Sequence, residues 1–161
     1  MLGSTYEGQT CSIARALEAV GERWTLLIVR DLLRGPQRFS DLEAALKISK
    51  NVLAARLDKL VDLKIVAKSQ YEAARDWSEY SLTRKGYDLF PVVNALMAWG
   101  DRYEAPNGPP VVISHVCGHS AGHMVVCAHC REALSIKSVI EVPGPGATEA
   151  PPKQFLRQTA P

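Results

Sequence analysis

The stretch between residues 40 and 60 constrains this chain most, because two short runs of apolar residues at helical spacing follow one another there, each opened by a serine. Ser40-Asp41-Leu42-Glu43 fits a capping box, in which a hydroxyl and a carboxylate satisfy free amides at a helix start; Leu42, Ala45 and Leu46 then supply the inner face of a short helix. Lys47-Ile48 makes a tight turn, Ser49 caps again, and Leu53, Leu57 and Leu60 form the inward stripe of the next helix. Two short capped helices separated by a turn are a helix-turn-helix signature.

The flanking segments supply a frame for this pair. Ile13, Leu17 and Val20 repeat at i, i+4, i+7 after Thr10-Cys11-Ser12, which predicts an amphipathic helix stopped at Gly21. Residues 22–33 are apolar almost all round and end at Gly35-Pro36, as expected of a buried central helix. Past the serine-punctuated pair the period shifts toward two over 65–71 and 77–82, with Tyr80 and Leu82 on one face, Trp77, Glu79 and Ser81 on the other, and a polar tip at 72–76. A last helix follows Thr83-Arg84-Lys85-Gly86, carrying Leu89, Val93, Leu96, Trp99 and Gly100, with Pro91 acceptable in its first turn. Helix, helix, capped helix, turn, capped helix, hairpin and helix make up the winged-helix layout, an α+β class that is mainly α.

At 161 residues the chain suits one compact domain with an appendage. Regular periodicity fills residues 1–105, and Asn107-Gly108-Pro109-Pro110 reads as a linker. Residues 106–142 read as a small Cys/His-rich β extension, with short strands at 111–114 and 123–126 around a turn. Residues 143–161 hold five of the ten prolines and read as a disordered tail. A net charge of only +2 means that any basic surface must come from local clustering of Lys and Arg. Residues 1–10 have no basic start or apolar core of a signal peptide, and no apolar run approaches a membrane span, so a cytoplasmic protein without membrane partners is expected. Four cysteines make a thin disulfide framework, and their spacing suits reactive-thiol or metal roles in a reducing compartment.

If Leu53, Leu57 and Leu60 point inward, Lys50, Asn51 and Ala54 point outward near the start of the same helix, where base edges of DNA would be met. Lys pairs with guanine or phosphate, Asn can make two hydrogen bonds to adenine, and Ala leaves room for a thymine methyl. Ser40 and Ser49 lie at the two helix starts; Arg56, Lys59, Lys68 and Arg75 would add phosphate contacts, which position a protein without reading sequence. On residue types alone this is equally a solvated helix face, and the order of the elements decides for DNA.

Several ordered motifs resemble those of the HxlR family of bacterial regulators: Cys11-Ser12-Ile13-Ala14-Arg15, Gly21-x-x-Trp24-Thr25-Leu26-Leu27-Ile28, Arg30-Asp31-Leu32, Gly35-Pro36-x-Arg38-Phe39-Ser40-x-Leu42, Leu53-x-x-Arg56-Leu57, Tyr80-Ser81-Leu82-Thr83 and Trp99-Gly100. The resemblance spans about residues 10–102. It implies a winged helix-turn-helix fold, a homodimer built from the first and last helices, and binding to a palindromic operator in double-stranded DNA. Two positions depart from the family pattern. Lys64 stands where a Gly usually follows the recognition helix, and Arg75-Asp76-Trp77 replaces a Pro-Pro-Arg before the second wing strand, leaving Arg75 as the substitute wing arginine.

Cys11 sits at a helix start, where the positive helix end and Arg15 one turn on favour a thiolate. The resemblance implies a sensor of electrophiles or oxidants at this position; the other reading is a small apolar residue in a dimer interface. All four histidines fall within 115–129, among His115-x-Cys117-Gly118-His119, His123 and Cys127-x-x-Cys130. Cys117, Cys127 and Cys130 with His115 or His119 could hold a structural zinc, while a CxxC redox pair or a plain thiol-bearing turn explains the same residues. The function expected is a sequence-specific, dimeric DNA-binding repressor answering a small-molecule effector, an electrophile or a redox signal. The alternatives are a winged-helix module that binds protein and carries a zinc hairpin, or a thiol or metal enzyme on the CxxC. No general base stands near that CxxC at a convincing spacing, so a non-enzyme is expected.

Overall fold

The computed structural model describes Tyr6 and residues 11–70, 78–140 and 142–147. Two compact units divide the chain, Met1–Gly108 and Pro109–Pro161.

In the first unit, α1 (Ser12–Val20) begins and ends where the apolar repeat predicts, with Gly21 as its C-cap. The second helix starts later than expected. Glu22 and Arg23 lie in a turn, Trp24 adopts a left-handed φ of 80°, and α2 runs only over Thr25–Leu32. A left-handed tryptophan costs about 1–2 kcal/mol, and its half-buried ring packs against the core in return. Ile28, Val29 and Leu32 on α2 are fully buried, which confirms its central place. Asp31 is buried with them, and its carboxylate accepts from Arg30 Nε at 2.9 Å and from Arg34 at 3.4 Å, so the buried charge is compensated.

Gly35, at φ 130°, turns the chain into β1 (Gln37–Arg38), a two-residue strand that the sequence pattern does not announce. β1 leads directly into α3 (Phe39–Leu46), so Arg38 occupies the N-cap position and Ser40 falls inside the first turn. The capping box expected at Ser40 is therefore not formed; the Ser40 hydroxyl faces Asp41 Oδ1 at 3.3 Å instead. Ala45 is exposed rather than inward, and Leu42 and Leu46 bury the inner face without it. Lys47 takes the left-handed conformation at φ 53° that lets the chain reverse, and Ile48 is buried under the turn.

Ser49 caps α4 (Lys50–Asp62) as expected, its Oγ accepting from the Val52 amide at 3.4 Å. Leu53, Leu57 and Leu60 are all buried. At the other end the Lys64 amide donates to Val61 O at 2.9 Å and the Ile65 amide to Leu60 O at 2.9 Å, a Schellman arrangement with Lys64 at φ 56°. Lys64 thus adopts the backbone conformation that a glycine would take more cheaply.

β2 (Val66–Gln70) and β3 (Ser78–Leu82) pair antiparallel, with Val66 opposite Leu82 and Lys68 opposite Tyr80. β1 pairs with the outer edge of β3, giving the order β1-β3-β2. Tyr80 and Leu82 are buried, as their alternation predicts. Thr83 caps a separate short helix, α5 (Arg84–Tyr87), and α6 (Phe90–Tyr103) follows with Pro91 in its first turn. Gly86 explains the close fit of α5: a Cβ there would stand 2.3 Å from Ile65 O.

The second unit is built of turns. No named strand forms among its described residues, contrary to the strands expected at 111–114 and 123–126; isolated bridges join Ser114 to Ser120 and Val126 to Ala133, each closing its own turn. Residues 148–161, most of the expected tail, lie outside the described residues. Among the described residues no helix is long and apolar enough to cross a membrane.

Candidate nucleic-acid interface

With three leucines pinning one side of α4 to the core, the opposite side is fixed by the 3.6-residue period. Lys50 and Asn51 emerge exposed in the first turn beside Ser49, and Ala54 is half-buried behind them. Further along the exposed side come Ala55, Asp58 and Asp62. The helix is therefore divided: an amide-rich, positively polarised start carrying Lys50 and Asn51, and a far end carrying carboxylates that repel phosphate. Of the two ends, the start is the one that suits a polyanion.

The structure places the remaining predicted residues unequally. Ser40 is exposed on the first turn of α3. Arg56 forms an ion pair with Glu22 and donates through Nε to the Arg23 carbonyl at 3.3 Å; Lys59 reaches the other oxygen of Glu22 at 3.2 Å. Both cations thus tie the middle of α4 to the turn between α1 and α2, and Glu22 neutralises charge that the sequence assigns to phosphate. Glu22 was not legible as a partner, because only the fold brings it across more than thirty residues to α4. Lys68 is exposed on β2 with its ammonium 5.8 Å from the ring centre of Tyr80, its cross-strand partner, close enough for a cation–π contact. Arg75 lies outside the described residues, as does the hairpin tip 71–77.

Cys11 is exposed and occupies the N-cap of α1, where its carbonyl accepts from the Arg15 amide at 3.1 Å; its side chain does not cap the helix. Among the described residues of this unit, α1 and α6 carry exposed apolar surface. Ile13 and Leu17 of α1 are exposed, the former by 70%. On α6, Val92, Leu96, Trp99 and Tyr103 recur at i, i+4, i+7, i+11, each about half exposed, and α6 buries no residue at all. A stripe so regular and so wet is one that a further surface would cover.

In the second unit, His115–Val116–Cys117–Gly118–His119 closes through the His115 amide on His119 O at 2.8 Å, with Gly118 at φ 87°. The Cys117 amide donates to His115 Nδ1 at 3.2 Å. In the second turn the backbone amides of Cys130 and His129, together with the Cys130 thiol, hydrogen-bond Cys127, and these bonds lower the Cys127 thiol below its ordinary value. Among the described residues no three His, Cys, Asp or Glu side chains converge on a common point, so the ligand set expected from Cys117, Cys127, Cys130 and His115 or His119 is not assembled.

A model of the HxlR-like helix-turn-helix family matches residues 19–107. The chain is 42% identical over 147 residues to an uncharacterized HTH-type transcriptional regulator, MT3179, of Mycobacterium tuberculosis, covering 90% of this chain and 92% of the relative. That alignment is too long to be confined to the family segment and the N-terminus, so it continues into the Cys/His-rich unit. Among solved structures, PA1607, a proposed transcription factor, superimposes with a TM-score of 0.76 at 32% identity, over 85% of this chain and 97% of its own. The reduced form of the redox regulator HypR superimposes with a TM-score of 0.56 at 25% identity, over 58% of this chain and 94% of its own.

Proposed function

The chain belongs to the HxlR-like helix-turn-helix family and is a transcriptional regulator of that type; on that premise we propose that it is a sequence-specific dimeric repressor that sets the first turn of α4 in the major groove. The observation that carries this reading is the division of α4. Its capped start exposes Lys50 and Asn51, while Asp58 and Asp62 make the far end unsuited to DNA. Asn51 would read adenine, Lys50 guanine or phosphate, and Lys68 the backbone beside the wing.

The exposed stripes of α1 and α6 support a two-fold dimer, since a symmetric pair would bury both and present two copies of α4 to one face of the duplex. The exposed Cys11 at the start of α1 would then lie on an element of that dimer. An electrophile or oxidant reacting there would convert chemistry into a change of helix packing, in keeping with the likeness to a redox regulator.

Selection of binding fragments from a random duplex library, followed by footprinting, tests the proposal. The expected result is a palindrome whose half-sites are about one helical turn, roughly 10 bp, apart, with affinity falling steeply as salt rises. Affinity insensitive to salt, or a single unpaired half-site bound by a monomer, would overturn it.

A further inference from the structure

We propose that Cys127 and Cys130 form a reversible dithiol–disulfide pair in the C-terminal unit, oxidised by hydroperoxides and reduced by small thiols. This site is separate from the thiol at the start of α1 and goes beyond the DNA-binding reading.

The turn that holds the two cysteines is fastened on both sides. Arg131 N donates to Cys127 O at 2.9 Å, Cys127 N donates to Glu132 O at 2.8 Å, and Leu134 N donates to Val125 O at 2.8 Å. The Val126–Ala133 bridge closes the base, and Arg131, at φ 66°, turns the chain back immediately after Cys130. The bond from Arg131 N to Cys127 O closes one α-turn, in which residues three apart have Cα atoms about 5 Å apart, inside the roughly 4.4–6.8 Å that a disulfide spans. Both cysteines are free and lie in this one hydrogen-bonded turn, so a disulfide between them would cross-link the turn within itself.

The surroundings assign the two sulfurs different parts. Cys127 is half-buried and receives the amides of His129 and Cys130, which stabilise charge on its sulfur. Cys130 is exposed. In the oxidation, the Cys127 thiolate attacks the peroxide, the O–O bond breaks, and the departing alkoxide, or hydroxide from hydrogen peroxide, takes a proton from solvent to leave as an alcohol or water; Cys127 becomes a sulfenic acid. Cys130 sulfur then attacks the sulfenic sulfur, the S–O bond breaks, and hydroxide leaves with the Cys130 proton as water. Two electrons pass from the thiols to the peroxide; two equivalents of a small thiol reverse the change by successive exchange, the first forming a mixed disulfide and the second releasing the small-thiol disulfide. Cys117, in the neighbouring turn, has no second thiol within its own turn.

The test uses the full chain carrying Cys11→Ser and Cys117→Ser, so that only the pair remains. Hydrogen peroxide should remove both free thiols together, give an intramolecular disulfide by peptide mass, and leave the chain monomeric on a non-reducing denaturing gel; reductant should restore both thiols. Adding Cys130→Ser should leave a sulfenic acid at Cys127 that dimedone traps, whereas adding Cys127→Ser should slow oxidation of the remaining thiol by about tenfold or more. Thiols that stay reduced under peroxide, or that cross-link only between chains, would overturn the proposal. So would stoichiometric zinc in the protein as purified that disappears with Cys127→Ser, because the pair would then be metal ligands. None of these readouts depends on DNA, so failure here is distinguishable from failure of the regulator reading.

Discussion

The Thr83 hydroxyl donates to the Lys64 carbonyl at 2.7 Å, joining the residue that ends α4 in a left-handed conformation to the residue that starts α5. Thr83 Oγ1 also accepts from the Gly86 amide at 3.2 Å, so one side chain secures the exit of α4 and the return of the hairpin together. Thr83→Val should remove both bonds at constant shape and destabilise the fold by about 1–2 kcal/mol. Lys64→Gly should act the other way, relieving left-handed strain for a net gain of up to about 1 kcal/mol after the larger chain entropy of glycine is counted. Urea unfolding checks both, as opposite shifts of the midpoint at an unchanged slope.

Glu22 holds Arg56 and Lys59 on the surface of α4, all three side chains partly exposed. Glu22→Gln should therefore cost less than about 1 kcal/mol of stability. Its larger effect should fall on DNA: two released cations near the helix should raise affinity for any duplex and steepen its salt dependence, with base preference unchanged. Binding isotherms at several salt concentrations on operator and random DNA measure this, and an unchanged slope would place Arg56 and Lys59 away from the phosphates.

Asn51→Ala should relax base preference at one position in each half-site, by about 1–3 kcal/mol if the amide pairs with adenine in two hydrogen bonds. Lys68→Ala should instead weaken all sequences alike. Repeating the library selection with each variant separates the two outcomes, and an identical consensus from Asn51→Ala would remove that residue from the reading surface.

Leu96→Asp and Trp99→Asp place charges on the exposed stripe of α6 without touching a buried residue. The fold should survive while self-association is lost, so sedimentation should report a monomer whose helical circular dichroism is native. Operator affinity should fall by tenfold or more, about 1.4 kcal/mol, because each half-site would then bind alone. A dimer that persists in both variants would move the interface elsewhere.

Oxidant or a quinone should release DNA from the native protein and leave Cys11→Ser bound, with Cys127 and Cys130 replaced by Ser in both to keep the second thiol site silent. Equal release from the two proteins would make Cys11 a packing residue.

What the sequence determined by itself is what depends on neighbours within a turn or a pleat. The stripe Leu53, Leu57, Leu60, the Ser49 cap, the breaks at Gly21 and Gly35-Pro36, the alternation at Tyr80 and Leu82 and the tolerated Pro91 all express helix period, strand period or cap chemistry, and each stands where expected. From these, and the order in which they come, the winged-helix layout and the capped, exposed start of α4 follow. Tertiary structure alone decided the rest, because the deciding partner is distant in the chain. Two residues become β1 only because Tyr80 and Glu79 offer an open edge, and that strand takes the N-cap from Ser40. Glu22 reaches Arg56 and Lys59 only when the turn before α2 is set against α4, and a charged pair has no period by which to announce itself. The left-handed Lys64 is held by Thr83, a hydrogen bond that a preference for glycine at that position could not have foretold.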